Sequence, residues 1–328
     1  MTSTATTNSI VRSAVDWPYT IASPTAGLSL VDWAAQAREQ LTPLLQNHKA
    51  LLLRGFNVDS VDKFQAFLSA LGLDLLEYTE RSTPRSTVVG NVYTSTEYPK
   101  AHEIPMHNEN SYSGKWPRRV YFCCLRPAAE GGETPIADSR KVYEMIEPRI
   151  REEFISRRVM YMRNYGQGLD LSWEEAFQTD DRSAVERYCR ESDIAFQWSD
   201  NNRCLQTRQV RPAALMNTLS GERVWFNQAH LFHVSALPSS LRKSLLSLFP
   251  ADQLPRNACF GNGSSIPEDY LDHIRDIYRS TRTNIQWCKG DVLMLDNLFC
   301  AHGRLAYSGD RQVIVAMDGA GSTDVVEL

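Results

Sequence analysis

The sequence predicts an α+β protein with a mainly β core, folded as a double-stranded β-helix of the jelly-roll, cupin-like type with peripheral and inserted helices. Short strand patterns separated by turn-rich segments recur along the chain and are interrupted by helical patterns. Residues suited to one polar site stand on an early strand and after a late one, and a jelly roll brings such positions together. No internal repeat or low-complexity linker marks a boundary, so we expect one domain over residues 1–328.

The N-terminal third is predicted to form a helix, a strand and a second helix. Residues 1–12 are rich in Ser and Thr without periodicity, and we expect them to be disordered. An amphipathic pattern predicts a helix over 30–46, and the apolar run at 50–53 predicts a buried strand. Ser60 can cap a further helix over 61–71.

Strand patterns dominate the rest of the chain, around one insertion. Residues 140–222 mix helical and extended patterns, and we expect this insertion to cover the candidate site. Within the insertion, helices are predicted over 142–156 and 184–191, and extended segments over 194–198 and 204–210. Outside the insertion, strands are predicted over 87–93, 106–109, 119–125, 224–227, 285–288, 292–295 and 312–317, and helices over 239–248 and 267–280.

The composition excludes several classes of protein. With 42% hydrophobic and 23% charged residues, the chain is predicted to be soluble and globular. The 35 basic residues are spread along a chain of net charge −4, so a nucleic acid is not an expected partner. No apolar run approaches the ~20 residues of a membrane span, and the N-terminus lacks signal-peptide features, so we expect a cytoplasmic location and no membrane partner. The seven cysteines include no CxxC pair, which disfavours a disulfide framework or a zinc knuckle.

The pair His107-x-Glu109 with the distant His302 predicts a metal site. Residues two apart on a strand point to the same face, so His107 and Glu109 can offer an imidazole and a carboxylate to one ion. His302 follows a late apolar strand and supplies the third ligand. Two histidines and one carboxylate leave coordination positions open for an organic co-substrate and O2, as in non-haem Fe(II) oxygenases. His230 and His233 remain competing ligand candidates.

Arg311, nine residues after His302, indicates what fills the open positions. A 2-oxoacid chelates the metal through its keto-carboxylate end, and its distal carboxylate needs a charge-assisted partner. A planar guanidinium provides this better than an ammonium group does. Thr134 can add a hydroxyl donor. Arg304 is either a support for the site or purely structural.

Several stretches resemble the taurine dioxygenase and clavaminate synthase superfamily of Fe(II)/2-oxoglutarate oxygenases, especially the branch typified by the syringomycin-biosynthesis aspartyl hydroxylase. The resemblance covers most of the chain. Its motifs are Leu53-Arg54-Gly55-Phe56, Gly90-Asn91-Val92-Tyr93, Met106-His107-Asn108-Glu109-Asn110-Ser111-Tyr112, Gly131-Gly132-Glu133-Thr134-Pro135-Ile136-Ala137-Asp138-Ser139-Arg140, Trp225-Phe226-Asn227-Gln228 and Ala301-His302-Gly303-Arg304.

The resemblance implies a role for each matching residue. His107, Glu109 and His302 would bind Fe(II), and Thr134 and Arg311 would hold 2-oxoglutarate. A further set would lie near the substrate: Asn91, Ser111, Trp225, Asn227 and Gln228.

Two positions depart from the family pattern. Glu109 stands where most of the superfamily has aspartate, although this branch commonly uses glutamate. Val315 stands where taurine dioxygenase and clavaminate synthase have a second arginine for an anionic substrate group. A substrate carboxylate is therefore either held elsewhere, with Arg81 or Arg85 as candidates, or already masked as a thioester or amide.

The resulting functional prediction is hydroxylation of an unactivated C–H bond, with 2-oxoglutarate and O2 converted to succinate and CO2. The expected substrate is an amino acid or peptide-like natural-product intermediate, free or tethered to a carrier protein. Desaturation, epoxidation and oxidative cyclisation are alternatives, whereas Glu109 leaves no position for chloride. Two rivals come from other classes: a zinc-dependent hydrolase using the same ligands, and a catalytically silent binding protein.

Overall fold

The structure is a computed structural model that describes residues 11–12, 17–77, 80, 86–95, 98–166, 168–199, 203–321 and 325–328. Its strands, in chain order, are β1 Val11–Arg12, β2 Tyr19–Ala22, β3 Ala50–Arg54, β4 Thr87–Val89, β5 Val92–Thr94, β6 Ile104–His107, β7 Pro117–Arg126, β8 Glu130–Gly131, β9 Thr134–Asp138, β10 Val159–Tyr165, β11 Ala195–Ser199, β12 Cys204–Arg211, β13 Ala214–Asn217, β14 Arg223–Trp225, β15 Arg256–Phe260, β16 Thr283–Ile285, β17 Val292–Asp296, β18 Cys300–Arg304, β19 Tyr307–Ser308, β20 Gln312–Ala320 and β21 Val325–Glu327.

The helices lie at the N-terminus and in the connections between strands. They are α1 Leu30–His48, α2 Val61–Ala70, α3 Ser139–Met145, α4 Pro148–Arg157, α5 Trp173–Phe177, α6 Arg182–Glu191, α7 Ala229–Phe232, α8 Ser239–Leu248 and α9 Glu268–Thr281, with a 3₁₀ turn at Val234–Ala236. Within the described residues, no helix is both long and apolar enough to cross a bilayer.

Two sheets form the jelly roll. The larger has eight strands in the order β1-β2-β3-β17-β7-β20-β5-β4, and the smaller has four in the order β16-β9-β18-β6. One apolar cluster fills the space between them, with Phe122 and Leu293 from the large sheet against Ile136 and Cys300 from the small one. This sheet-dominated core has the predicted fold class.

The outer face of the large sheet is covered by α1 and α2. Successive residues of a strand point to opposite faces, so Leu51 and Leu53 pack under these helices while Leu52 faces the inter-sheet cluster. β3 is therefore buried on both faces, which explains its uninterrupted apolar sequence. Ser60 caps α2 by accepting a hydrogen bond from the Lys63 backbone N–H, as predicted.

The predicted insertion contributes three strands of a separate four-stranded sheet in the order β11-β12-β10-β15, and the fourth strand, β15, comes from a later part of the chain. β10 was missed in the sequence, because its apolar residues follow directly on a helical pattern. The helix predicted over 142–156 is two helices, α3 and α4, divided before Pro148, since a proline lacks the N–H that a helix interior needs. Whether residues 1–328 act as a single domain with a covering insertion stays a prediction.

Two N-terminal predictions need correction. The strand predicted over 87–93 is two short strands, β4 and β5, joined by a turn in which Gly90 has a φ of +52°. Val11 and Arg12, expected to be disordered, form β1 and pair with β2. The rest of the segment predicted as disordered, residues 1–10, lies outside the described residues.

Candidate active site

Pairing of β6 with β18 brings the two predicted histidine ligands together. His107 and His302 are direct partners in this antiparallel ladder, with ring centroids 4.7 Å apart at an angle of 50°. The ladder is irregular between His302 and Arg304. A Cβ on the intervening Gly303 would lie 2.6 Å from the carbonyl oxygen of Ile104. Only glycine therefore permits this close approach of the two strands.

Glu109 reaches the histidines by a different route from the predicted one. The sequence predicted a strand through 109, but β6 ends at His107 and Glu109 lies in the following turn. The turn is held by Asn297, whose Oδ1 accepts from the Glu109 backbone N–H at 2.7 Å and whose Nδ2 donates to the Glu109 carbonyl at 3.0 Å. Two hydrogen bonds to Asn297, a residue far away in the sequence, thus set the direction of this carboxylate; the alternation of side chains along a strand does not.

The three side chains form a donor set for one ion. One potential ligand atom from each of His107, Glu109 and His302 lies within 4.8 Å of the other two, and Nε2 of His302 is 3.5 Å from Oε2 of Glu109. His107 Nδ1 is 2.8 Å from the carbonyl oxygen of Pro105, so Nδ1 carries the proton and Nε2 carries the lone pair. Two imidazoles and one carboxylate are the donor set that suits a non-haem ferrous ion.

Buried amides brace the backbone between the ligands. The Gln228 side chain donates to the Asn108 carbonyl at 2.9 Å, and the Asn108 amide donates to the Asn297 carbonyl at 2.6 Å. All three amide residues are at most 3% exposed. Hydrogen bonds between groups that are buried away from water are stronger than exposed ones. These amides therefore hold the turn that contains Glu109, here called the ligand turn, in one conformation. Sequence reasoning missed Asn297, since only the folded pairing shows what it contacts.

His230 belongs to this support and not to the ligands. Its Nε2 lies 2.9 Å from the carbonyl of Met106, the residue before His107, and complete burial lowers the pKa of His230 to about 3. The ring is therefore neutral and donates to β6. His233 Nδ1 accepts from the Ser235 backbone N–H, and burial lowers its pKa to about 4. Neither is part of the three-residue cluster, so the competing-ligand hypothesis is wrong.

A narrow cavity next to the histidines holds the residues predicted for a 2-oxoacid. His107, His302, Thr134 and Arg311 all line it. The Thr134 hydroxyl accepts from the Trp287 indole N–H at 3.0 Å, which fixes its orientation. Phe122 also lines this cavity and meets the His302 ring edge-on, with centroids 5.1 Å apart.

Arg311 is a partly buried cation in this cavity. Its Nε donates to the carbonyl of Gly132 at 3.0 Å, and its Nη1 lies 3.4 Å from the Ser95 hydroxyl. Burial, and then the neighbouring charge of Arg304, lower the Arg311 pKa to about 10. A carboxylate bound here would offset both effects, because an opposite charge favours the protonated form.

Arg304 has a structural role that the sequence left open. Its guanidinium donates to the carbonyls of Tyr98, Pro99 and His102 at 2.8–3.0 Å. It therefore ties the segment before β6 to β18, beside the ligand strand. Its charge also adds to the positive potential around Arg311.

The residues predicted to lie near the substrate separate into two groups. Ser111 lines a second cleft next to the ligand turn, and its hydroxyl donates to the Asn108 carbonyl at 3.0 Å. The others are engaged in the framework, and Arg81 lies outside the described residues. Trp225 is fully buried with its ring 5.2 Å from Phe154, the Asn227 amide donates to the Ala213 carbonyl, the Asn91 amide donates to the Leu75 carbonyl, and Gln228 braces Asn108 as described above.

A jelly roll that presents two imidazoles and a carboxylate beside a partly buried arginine is typical of the class of non-haem iron oxygenases that use a 2-oxoacid. Residues 17–317 match the family described as "Taurine catabolism dioxygenase TauD, TfdA family". The chain belongs to this family. It is an Fe(II)/2-oxoglutarate-dependent dioxygenase, as predicted, which rules out the zinc hydrolase and the silent binding protein.

Individual relatives agree with this assignment. The chain is 40% identical over 274 residues to the dapdiamide synthesis protein DdaC of Enterobacter agglomerans, covering 84% of this chain and 83% of that one. It is 28% identical over 322 residues to a clavaminate synthase-like protein of Arabidopsis thaliana, covering 93% and 92% of the two chains.

Solved structures share the fold at low sequence identity. PvcB of Pseudomonas aeruginosa, described as an Fe, alpha-ketoglutarate dependent oxygenase from an isonitrile synthetic pathway, superposes with a TM-score of 0.54 at 14% identity, over 94% of this chain and 88% of that one. An asparagine oxygenase superposes with a TM-score of 0.55 at 13% identity, over 88% and 81%. These likenesses confirm the predicted fold class.

Proposed function

We propose that this dioxygenase hydroxylates an unactivated C–H bond of an amino acid or peptide-like natural-product intermediate. The observation that carries the proposal is the grouping of His107, Glu109 and His302 beside the cavity that contains Arg311. The relative at 40% identity is named for dapdiamide synthesis, which supports a substrate of this kind.

In this proposal His107, Glu109 and His302 hold the Fe(II) ion. Bound iron, with 2-oxoglutarate and O2, supplies the oxidising chemistry that attacks the C–H bond and yields succinate and CO2. The chain's contribution is to fix the donors before the ion arrives. The Pro105 carbonyl holds the His107 tautomer, and Asn297 holds the backbone of Glu109 on both sides.

Arg311 and Thr134 hold 2-oxoglutarate in the same proposal. The Arg311 guanidinium is oriented by the Gly132 carbonyl, and the Thr134 hydroxyl is oriented by the Trp287 indole. A distal carboxylate would receive charge-assisted hydrogen bonds from the Arg311 guanidinium and a further one from the Thr134 hydroxyl, in a partly buried site where such bonds are stronger than in open water. Orientation of this carboxylate would in turn aim the keto acid at the ligand cluster.

The cleft lined by Ser111 is the proposed substrate side of the centre. Ser111 stands two residues after Glu109, and the cleft has a volume of about 580 Å³. Ligand sites of small molecules commonly have volumes of about 300–1,000 Å³. The cleft thus has room for a peptide-like molecule whose reactive carbon approaches from the side of the ligand turn.

The proposed reaction is tested by following succinate and product mass with amino acids, dipeptides and N-acyl amino acids. Hydroxylation and epoxidation each add one oxygen atom to the product, whereas desaturation and ring closure each remove two hydrogens. Mass therefore separates these two groups of reactions, and NMR of the product distinguishes the members of each group. His107→Ala should abolish succinate formation, and His102→Ala, in the loop before β6, is the matched control. Absence of coupled succinate formation with every compound would overturn the proposed substrate class.

A further inference from the structure

The second cleft contains a buried arginine that the reaction described so far does not use. Arg211, at the end of β12, is 8% exposed and lines this cleft together with Asn110 and Ser111 of the turn that follows Glu109. Its guanidinium donates to the carbonyls of Ser192 and Val210 and to Oε1 of Gln209. All three acceptors are uncharged, and Nε of Arg211 has no partner among the described residues.

A buried guanidinium without a carboxylate partner is costly to the fold. Among the described residues, Arg211 forms no ion pair, and its Nε has no hydrogen-bond acceptor. Buried Arg163, by comparison, lies 3.9 Å from the Asp170 carboxylate, and buried Arg304 donates to three carbonyls but lines the narrow cavity and not this cleft. The desolvation of such a charge is offset only by a counter-ion or by several hydrogen bonds. Arg211 therefore has the properties expected of an anion-binding residue.

Arg211 is rigidly connected to the ligand turn. Gln209 links it to the Glu80 carboxylate, with 2.8 Å from Arg211 Nη2 to Gln209 Oε1 and 2.6 Å from Gln209 Nε2 to Glu80 Oε1. The Tyr112 hydroxyl then lies 2.7 Å from the Glu80 carbonyl and 3.3 Å from Oδ1 of Asn110, the residue after Glu109. A group bound at Arg211 is thus held in a fixed relation to the metal ligands.

The charges around the cleft have both signs. Lys115 and Arg211 line it together with Glu77 and Asp193. This combination suits a molecule that ends in a carboxylate and an ammonium group, as a free amino acid or the end of a peptide-like compound does. It does not suit a thioester, which has no charge at the former carboxyl carbon.

We propose that Arg211, with Lys115 at the rim of the cleft, binds a free carboxylate of the substrate, so that the substrate is a free zwitterion and not a carrier-bound thioester. This inference rests on the proposed function and names its substrate class. It also supplies the anion-binding group that the sequence lacks at Val315, a position buried in the inter-sheet cluster. Arg211 is a binding residue and takes no part in oxygen chemistry.

The test compares three forms of the same compounds. Dipeptides and N-acyl amino acids are offered as free carboxylates, as C-terminal carboxamides and as pantetheine thioesters, with succinate formation and the visible band of the Fe(II)–2-oxoglutarate complex as readouts. The variants are Arg211→Gln and Arg211→Lys. Arg208→Gln is the matched control, because Arg208 is on the same strand but on its other face.

The wild-type protein should prefer the free carboxylate. Arg211→Gln should raise KM for the free acid by about tenfold or more, equivalent to about 1.4 kcal/mol, while KM for the carboxamide changes little. Arg211→Lys should retain part of the preference for the free carboxylate. It still allows the inference to be tested if the glutamine variant does not fold. Arg208→Gln should behave as wild type.

Three results would overturn the inference: equal or better turnover of the thioester or the carboxamide, an unchanged preference in both Arg211 variants, or turnover of the other forms with no response to any free carboxylate. Failure of the proposed function is recognisable separately, because the wild-type protein would then form the 2-oxoglutarate band but no succinate with any of the three forms. Succinate formation without a preference for free acids overturns the inference alone.

Discussion

His107 and His302 are direct cross-strand partners, although 195 positions separate them in the sequence. Their rings lie 4.7 Å apart because the pairing of β6 with β18 places the two residues directly opposite each other. A shift of that register by one residue would turn one imidazole to the opposite face of the sheet. Formation of the small sheet therefore also brings these two candidate metal ligands together.

Replacing Asn297 should damage stability and iron binding together. Its fully buried amide bonds to both sides of Glu109 and to the carbonyl of Pro117. Asn297→Ala leaves these buried groups without partners, at a cost of about 1–3 kcal/mol for each group. Urea unfolding should show a loss of several kcal/mol, and anaerobic titration should show weaker Fe(II) binding. Asn262→Ala, in an exposed turn, is the control. Equal effects from the two variants would contradict the claim that Asn297 holds the backbone of Glu109 in place.

Replacing Arg311 should weaken the binding of 2-oxoglutarate and leave the binding of iron unchanged. Arg311→Gln removes the partly buried charge that lies in the narrow cavity. Loss of one charge-assisted partner should raise KM for 2-oxoglutarate by about tenfold or more. Arg126→Gln, whose side chain is 61% exposed, should have no such effect. An unchanged KM in Arg311→Gln would show that the co-substrate binds elsewhere.

The metal-free protein should lose stability as the pH falls below about 6.5. Burial lowers the pKa of His230 to about 3, so the unfolded chain takes up a proton between these values that the folded chain does not. Stability from this group is therefore complete above pH 6.5 and is lost as pH falls toward 3, with a slope of at most about 1.4 kcal/mol per pH unit.

Urea unfolding of wild type and His230→Gln at pH 7 and pH 5 checks this behaviour. The variant should be less stable at pH 7, because it alters the contact with the Met106 carbonyl, and its stability should change less between the two pH values. His233, whose pKa is lowered to about 4, keeps part of the dependence in both proteins. If the free energy of unfolding of His230→Gln changed as steeply with pH as that of wild type, the assignment of His230 as a neutral imidazole would be contradicted.

Much of the fold is readable from local sequence. Helix α8 has the predicted bounds, and strands β3, β7 and β17 lie where apolar runs predicted them, because those signals depend on neighbours in the chain. The pairing of β6 with β18 is not local, so it was inferred only through the ligand set. Strand β9, which carries Thr134, was not predicted as a strand, although its motif marked Thr134 as functional.

The candidate site shows the same difference between what local sequence indicates and what only contacts between distant parts of the chain determine. Residue type and motif selected His107, Glu109, His302 and Arg311 as candidates, since their chemistry is distinctive, and the structure groups the first three beside a cavity that Arg311 lines. The reason for the position of Glu109 was wrong, because the turn after β6 is set by Asn297 from another part of the chain. The uncharged partners of Arg211 were equally hidden, as a guanidinium's contacts follow only from the packed structure.

The central claim is that His107, Glu109 and His302 together bind one ferrous ion that accepts 2-oxoglutarate. Anaerobic titration with Fe(II), followed by 2-oxoglutarate, measures it most directly through the visible charge-transfer band of the complex. Wild type and His273→Ala, a substitution on α9, should bind one iron per chain and develop the band, and His302→Ala should do neither. A full-intensity band in His302→Ala would contradict the account.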